Sequence, residues 1–473
     1  MTEFLTSVSP ADPRDEVGRF PVWDARALDE AVSRAREAFP TWRATPFEER
    51  ASLLRRFRDA VRADAEPLAR LISREMGKAL WEARAEVASV AAKIDLTLEE
   101  GMHFVAPLEA RPGTRAGFHP RGVLAVLGPF NFPAHLPNGH IAPALATGNT
   151  VVFKPSELTP AVGDRLARLY RNAGLPPGVL EIVHGRAETG ALLAAHPGVD
   201  GVLFTGSWAA GRAIQEATLD QPHKILALEM GGKNGILVLR DADLDLAVAE
   251  TAISICATTG QRCTCASRVF VEEPLVDSFT ERLRAVLRGV RVGPPLDPGV
   301  FMGPLVSPAA HQKLARFRAL AAEAGGERLL PAEVDHLPPY TAPGLTRFAD
   351  AGQKHPYLRE EIFGPEAAVL PVVDLEHGIA ALNDSDYGLA ASVFSRNRRA
   401  FEQAVGRVAV GVLNWNRGTV GASGRLPFGG LRKSGNDRPA GILSAVYCTF
   451  PQAHLEHPGG FDPASLPPGM PPP

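Results

Sequence analysis

The stretch "HKILALEMGGKNGILVLRDADLDLAV", residues 223–248, holds two short apolar runs separated by a charged, glycine-rich turn. Neither run alternates apolar with polar residues. A strand that is apolar throughout is buried on both faces, which is the habit of a parallel sheet covered by helices. After the second run, "LDLAVAETAISICATTG" (244–260) restarts as a helix, so the break at residues 231–235 reads as a domain boundary. Working outward, "GVLAVLGPFNFPAH" (122–135), "GVLEIVHG" (178–185) and "GVLFTGS" (201–207) are further buried strands, and "TPAVGDRLARLYRNAG" (159–174) is a helix between them. Downstream, "SRVFVEE" (267–273), "VDSFTERLRAVLRG" (276–289), "AAVLPVV" (367–373) and "GVLNWN" (411–416) repeat the alternation. Residues 26–105 place apolar side chains every third or fourth position and read as helices. The fold class is α/β, doubly wound, and such sheets bind ligands at the carboxyl ends of their strands.

A chain of 473 residues exceeds one ordinary core, so two or three domains are expected. Hydrophobic residues make up 45% and charged residues 22%, with a net charge of -3. That balance supplies no basic field for nucleic acid and no polybasic membrane anchor. The expected partners are small molecules and copies of the chain itself. Four cysteines are too few and too clustered for a disulfide scaffold. The first residues, "MTEFLTSVSPADPRDEVGRF", lack the pattern of a secretory signal, and no apolar run approaches the roughly 20 residues that span a bilayer. These features fit a reducing, cytoplasmic setting. The last segment, "FDPASLPPGMPPP" (461–473), reads as an exposed Pro-rich tail.

Candidate chemistry begins at "TTGQRCTCAS" (258–267), where Cys263 and Cys265 stand one residue apart. A C-x-C pair without a second ligand pair is a poor zinc site, so no metal is expected. Two small buried side chains are one reading. The other rests on the polar, glycine-containing turn, where Arg262 beside Cys263 favours a thiolate if its charge points that way. Glu229 ends an apolar strand before Gly231–Gly232; it is either a strand-end acid in solvent or a buried carboxyl raised towards a general base. "FTGSWAAGRAI" (204–214) is a strand, a glycine turn and a helix start, either an ordinary corner or a set of backbone N–H groups facing a phosphate. Asn131, between Phe130 and Phe132, is either an Asx-turn or an amide aimed at an oxyanion.

Together these segments resemble the aldehyde dehydrogenase superfamily, in order and over nearly the whole chain. The matching pieces are "EMGK" (75–78), "GPFNFP" (128–133), "GNTVVFKPSE" (148–157), "FTGS" (204–207) and "LEMGGKN" (228–234). "GQRC" (260–263), "EEIFGP" (360–365), "NDSDYGLAASVFS" (383–395) and "PFGGLRKSG" (427–435) complete the run. The resemblance implies that Cys263 attacks the aldehyde carbon, with Asn131 and the Cys263 backbone N–H holding the oxyanion of the thiohemiacetal. Hydride then leaves for the nicotinamide, and Glu229 activates the water that hydrolyses the thioester. It implies that Lys154 and Glu157 hold the adenosine ribose, with Glu157 favouring NAD over NADP by repelling a 2′-phosphate. Gly206, Ser207, Trp208, Ala209, Ala210 and Gly211 would face the pyrophosphate, and Glu361 and Phe363 the nicotinamide ribose and ring. The implied organisation is an NAD-binding domain of residues 1–107 and 124–231 and a catalytic domain of residues 232–440. An oligomerisation extension of residues 108–123 and 441–460 and the tail of residues 461–473 complete it. The family implies a homodimer or homotetramer.

Within the superfamily, "GPFNFPAHLPNGHIAPALATGNT" (128–150), "GQRCTCASR" (260–268) and "GVLNWNRGTVGAS" (411–423) look like the branch that oxidises N-succinylglutamate 5-semialdehyde in arginine degradation. Such a substrate is a dianion, and Arg262, Arg417, Arg425, His135 and His140 are the candidate groups for its carboxylates. The alternatives are another semialdehyde, of glutamate or succinate, and a non-catalytic NAD-binding member.

Overall fold

The computed structural model describes residues 3–331, 334, 336–457 and 459–473. Two open sheets carry the architecture. The first has five parallel strands in the order Leu180–Ile182, Thr150–Lys154, Val123–Leu127, Gly201–Thr205 and Ile225–Glu229. Val123–Leu127 is buried at every position, yet its side chains part between two cores. Val123, Ala125 and Leu127 pack with Leu28, Val32 and Leu193 on one face, while Leu124 and Val126 pack with Phe57, Ile94 and Leu166 on the other. That division is why the sequence shows no alternation: both faces are apolar because both are covered.

The second sheet has seven strands, ordered Glu327–Arg328, Gly344–Arg347, Glu366–Val372, Ala266–Glu272, Asn234–Val238, Ala390–Phe394 and Val412–Trp415. All its pairings are parallel except the edge strand Glu327–Arg328. Here too Ile236 and Val238 belong to one core and Leu237 to the other. The chain passes from the last strand of the first sheet to an inner strand of the second, Asn234–Val238, through Met230, Gly231, Gly232 and Lys233.

A third sheet is antiparallel: Thr449–Leu455 pairs with Thr114–Pro120, which pairs with Leu108–Arg111. The residues read as helical resolve into Ala25–Ala44, Phe47–Ala63, Ala65–Met76 and Leu80–Glu99, with a 3-10 turn at Gly101–Val105. A hairpin of Phe4–Val8 and Glu16–Pro21 precedes them, which the periodicity does not announce because most of its positions stay open to solvent. Residues 461–473 are exposed apart from half-buried Leu466. Among the described residues, no helix is long and apolar enough to cross a membrane.

Candidate active site

The parallel register sets Leu127 beside both Lys154 and Phe204, and Thr205 beside Glu229, so the carboxyl ends of the first sheet finish on one level. There the chain opens a cavity of about 800 Å³. Asn131, Glu157, Gly206, Ser207, Ala210, Glu229, Cys263, Glu361 and Phe363 all line it. Lys154, Trp208, Ala209 and Gly211 stand behind that lining rather than in it.

Cys263 is delivered by an unusual backbone. Helix Leu244–Cys256 runs into the 3-10 turn Ala257–Gly260, in which Thr258, Thr259 and Gly260 have φ of 52°, 55° and 70°. A β-branched residue in the left-handed region costs of order 1–3 kcal/mol and persists only where its surroundings hold it. Glu82 does so, accepting the Thr258 N–H at 2.9 Å and its hydroxyl at 2.9 Å, while the Thr259 hydroxyl donates to the Gly303 carbonyl. At Gly260 no side chain fits, because a Cβ would fall 2.1 Å from the Gly364 carbonyl carbon. Gln261 then donates from Nε2 to the Thr258 carbonyl and accepts the Val306 N–H. Beyond this turn, Asn234 donates to the carbonyls of Cys263 at 2.7 Å and Cys265 at 2.9 Å while accepting from Ala390 N–H. Glu82, Asn234 and Gln261 are functional supports that sequence reading missed. Two carried a signal: a glutamate on the inner face of a buried helix, and an asparagine opening an apolar strand.

The Cys263 thiol is pushed well above the ordinary cysteine range, first by burial, then by the nearby carboxyls of Glu361 and Glu229. Arg262 contributes only the smallest, opposing effect. The charge of Arg262 thus favours the thiolate only weakly, because it points elsewhere. Its guanidinium bonds Glu82 at 2.5 Å and the Thr258 hydroxyl at 2.9 Å, and it lies 5.0 Å over the Phe132 ring. Cys265 is buried, with its sulfur 3.5 Å from the Ala257 carbonyl and its thiol pushed up to about 12.

Glu229 closes its strand at 6% exposure, so the buried reading of this acid holds. Its Oε2 has no hydrogen-bond partner, and desolvation pushes the carboxyl well above the ordinary range. A Cβ at Gly429 would stand 3.1 Å from Oε1, so the glycine keeps that side of the acid uncrowded. Asn131 is fixed as well: its Nδ2 donates to the Gln261 carbonyl at 2.9 Å. An amide nitrogen carries two donors, so one N–H is left for the cavity.

At the other end, Ser207 caps helix Trp208–Ala217 by accepting from Ala210 N–H at 3.2 Å. Trp208, Ala209 and Ala210 form the helix's first turn. A Cβ at Gly206 would meet the Phe204 ring at 2.4 Å, and one at Gly211 would meet the Met230 sulfur at 2.4 Å. The strand end and the helix therefore approach as only glycines permit. This leaves a helix N-terminus facing the cavity, the arrangement that receives a pyrophosphate. Lys154 Nζ is 3.5 Å from Glu157 and donates to the Pro155 carbonyl. Glu361 accepts Gly232 N–H at 2.9 Å, and burial pushes its carboxyl up to about 6. A Cβ at Gly231 would come within 2.2 Å of that carboxylate. Phe363 adopts φ of 58° and sits edge-on to Phe130 at 5.8 Å. These residues fit a dinucleotide: acids for ribose hydroxyls and a capped helix start for phosphates. Among the described residues, no group of three or more His, Cys, Asp or Glu could hold a metal ion.

The candidate carboxylate-binding residues fare differently. Arg417 and Arg425 are exposed and outside the cavity lining, and Arg425 is bonded to Glu100. His135 and His140 line the cavity, but burial pushes them down to about 4 and about 3, so both are neutral near pH 7. Arg262 is spent on Glu82.

The sequence model described as "Aldehyde dehydrogenase family" matches residues 2–450. A Caulobacter vibrioides protein named N-succinylglutamate 5-semialdehyde dehydrogenase 1 is 44% identical over 451 residues, covering 94% of each chain. A Chromobacterium violaceum protein named N-succinylglutamate 5-semialdehyde dehydrogenase is 40% identical, covering 99% of this chain and 96% of its own. Among solved structures, a 1-pyrroline-5-carboxylate dehydrogenase from Thermus with bound NAD superposes with a TM-score of 0.91 at 30% identity, covering 96% and 90% of the two chains. Lactaldehyde dehydrogenase from Escherichia coli gives 0.90 at 34% identity, covering 96% and 95%.

Proposed function

The chain belongs to the aldehyde dehydrogenase family, and from that premise we propose that it oxidises N-succinyl-L-glutamate 5-semialdehyde to N-succinyl-L-glutamate with NAD. One observation carries the chemistry: Cys263 and a buried Glu229 whose Oε2 has no partner share a cavity with the fixed amide of Asn131. The names of the relatives support the choice of aldehyde.

The Cys263 sulfur bonds to the aldehyde carbon as its proton passes to water. The oxygen, now negative, takes the free N–H of Asn131 and the backbone N–H of Cys263. A bound nicotinamide dinucleotide supplies the acceptor for two electrons and the carbonyl hydrogen. What is left on Cys263 is a thioester. Glu229, its pKa raised by burial, draws a proton from water as that water attacks the thioester carbon. The carbon–sulfur bond breaks, the acid departs, and the proton held by Glu229 is released as the Cys263 thiolate regains one from water. Separate residues for attack and hydrolysis suit a thioester, which persists until a water is activated.

Glu157 lines the cavity with Lys154 behind it, and its negative charge disfavours a 2′-phosphate, so NAD is the cofactor over NADP. Residues 1–107 with 124–231 form the nucleotide-binding domain and 232–440 the catalytic domain. Residues 108–123 with 441–460 join copies of the chain into a dimer or tetramer. The test is initial NADH formation with the semialdehydes of N-succinylglutamate, glutamate and succinate. The succinylated compound should lead in kcat/KM by about 10²-fold, about 2.7 kcal/mol of transition-state discrimination. Comparable rates on all three would retire the substrate and keep the dehydrogenase.

A further inference from the structure

A buried lysine on the cavity wall has no role in the reaction proposed above. Helix Leu80–Glu99 turns a single stripe to the cavity: Glu82, Ala85, Glu86, Ser89 and Lys93. Steps of three and four residues keep these on one helical face. The acids on the stripe are satisfied. Glu82 holds Thr258 and Arg262, and Glu86 pairs with Lys78 at 2.5 Å while accepting the N–H groups of Ala134 and His135. Lys93 has no such match. It is 7% exposed, and its Nζ donates to the Gly441 carbonyl at 2.7 Å and the Ser444 hydroxyl at 3.3 Å, both neutral acceptors. Among the described residues it forms no ion pair with a carboxylate. An ammonium has three donors, so one is left over.

A buried charge without a counter-charge is costly, and desolvation accordingly pushes Lys93 down to about 8. The neighbouring histidines, 135 and 140, are neutral and do not compete with it for an anion. Its place along the helix also matters. Lys93 is 11 residues beyond Glu82 (93 − 82), about 16 Å along the axis at about 1.5 Å per residue. Glu82 is bonded to Arg262, the residue next to Cys263. The stripe thus runs from beside the reactive sulfur to a single buried ammonium, with Ser423 and Gly424 also lining the cavity.

We propose that Lys93 receives a carboxylate of the substrate at the far end of this helical stripe from Glu82 and Cys263, and so selects long anionic aldehydes. This rests on the reading of Cys263 as the point of attack. It names a specificity-determining residue that none of the arginine and histidine candidates supplied.

The test compares wild type with Lys93→Met and Lys93→Arg on N-succinylglutamate semialdehyde and on hexanal, an uncharged aldehyde. Losing one partner of a buried charge pair is expected to lower the ratio of kcat/KM, anionic over uncharged, by about 30-fold in Lys93→Met, about 2 kcal/mol. The loss should appear in KM, and Lys93→Arg should recover part of it. An equal loss on both aldehydes, as a purely structural role at Gly441 and Ser444 would give, overturns the proposal; so does no loss on the anion. Should Lys93→Met fail to fold, the wild-type protein still decides. N-succinylglutamate should inhibit competitively against the aldehyde while the diester that masks its succinyl and α-carboxylates does not, and equal inhibition by the two overturns the assignment. If wild type prefers the semialdehyde of glutamate or succinate, the substrate reading fails on its own, and the same ratio measured with that anion still judges Lys93.

Discussion

The two ends of the cavity are built by opposite means. Around Cys263 the backbone is strained, and side chains from distant segments hold it: Glu82 from a helix of the first half, Asn131 from a strand-end loop, Asn234 from the second sheet. At residues 204–211 the backbone is relaxed, one serine supplies the cap, and glycines supply the approach. The difference suits what the proposed reaction asks of each end. A sulfur has to meet one carbon at one angle, which takes many fixed groups. A pyrophosphate is met by N–H groups that every residue carries, so there the requirement falls on shape.

The comparison breaks most sharply at the sulfur. Cys263→Ala should lower oxidation by about 10⁴-fold or more while dinucleotide binding, followed by quenching of protein fluorescence, persists. Cys265→Ala should cost little; a dead Cys265 variant would reverse the assignment. Glu229→Gln should slow turnover by about 10²–10⁴-fold yet leave a burst of NADH, because thioester formation precedes the step that needs the base. A Glu229 variant with no burst would place this residue before the thioester instead. Asn131→Ala should cost about 10²–10³-fold in kcat, read in steady state, with a smaller change in KM. The pH dependence has a defined sign. The thiolate is the reactive form, and the Cys263 pKa is raised, so iodoacetamide labelling of the protein without cofactor should be slow at pH 7. It should still be climbing above the value of about 8.5 where an ordinary cysteine levels off. At the nucleotide end the effects should be smallest: Ser207→Ala should lower stability by about 1 kcal/mol in a denaturant titration and leave kcat nearly intact.

The strands were legible because burial on both faces writes itself as unbroken apolar runs, as Val123–Leu127 and Asn234–Val238 show. That Cys263, Glu229 and Asn131 belong to one site was legible through ordered segments, and all three line one cavity. The supports were not. Glu82 and Lys93 sit in a helix whose buried face is partly polar, which blurs its amphipathic pattern. No local rule says that a glutamate at 82 bonds a threonine at 258, since only the packed tertiary structure brings them together. The direction of Arg262 was hidden for the same reason: adjacency in sequence placed it beside Cys263, and the fold turned it to Glu82.

The passage through Met230–Lys233 has a consequence for how the protein comes into being. Glu229 ends one sheet, while Asn234, which grips the Cys263 carbonyl, begins the next. The Glu229 backbone is in turn bridged to Gly435, more than two hundred residues later. Contacts so far apart in the chain form late in folding. A nascent chain that has emerged only as far as residue 300 already carries the sulfur and the carboxyl, and still lacks the segment that sets one against the other. The bridge from Glu229 to Gly435 can close only after that later segment has emerged, when residues 201–217 are already present.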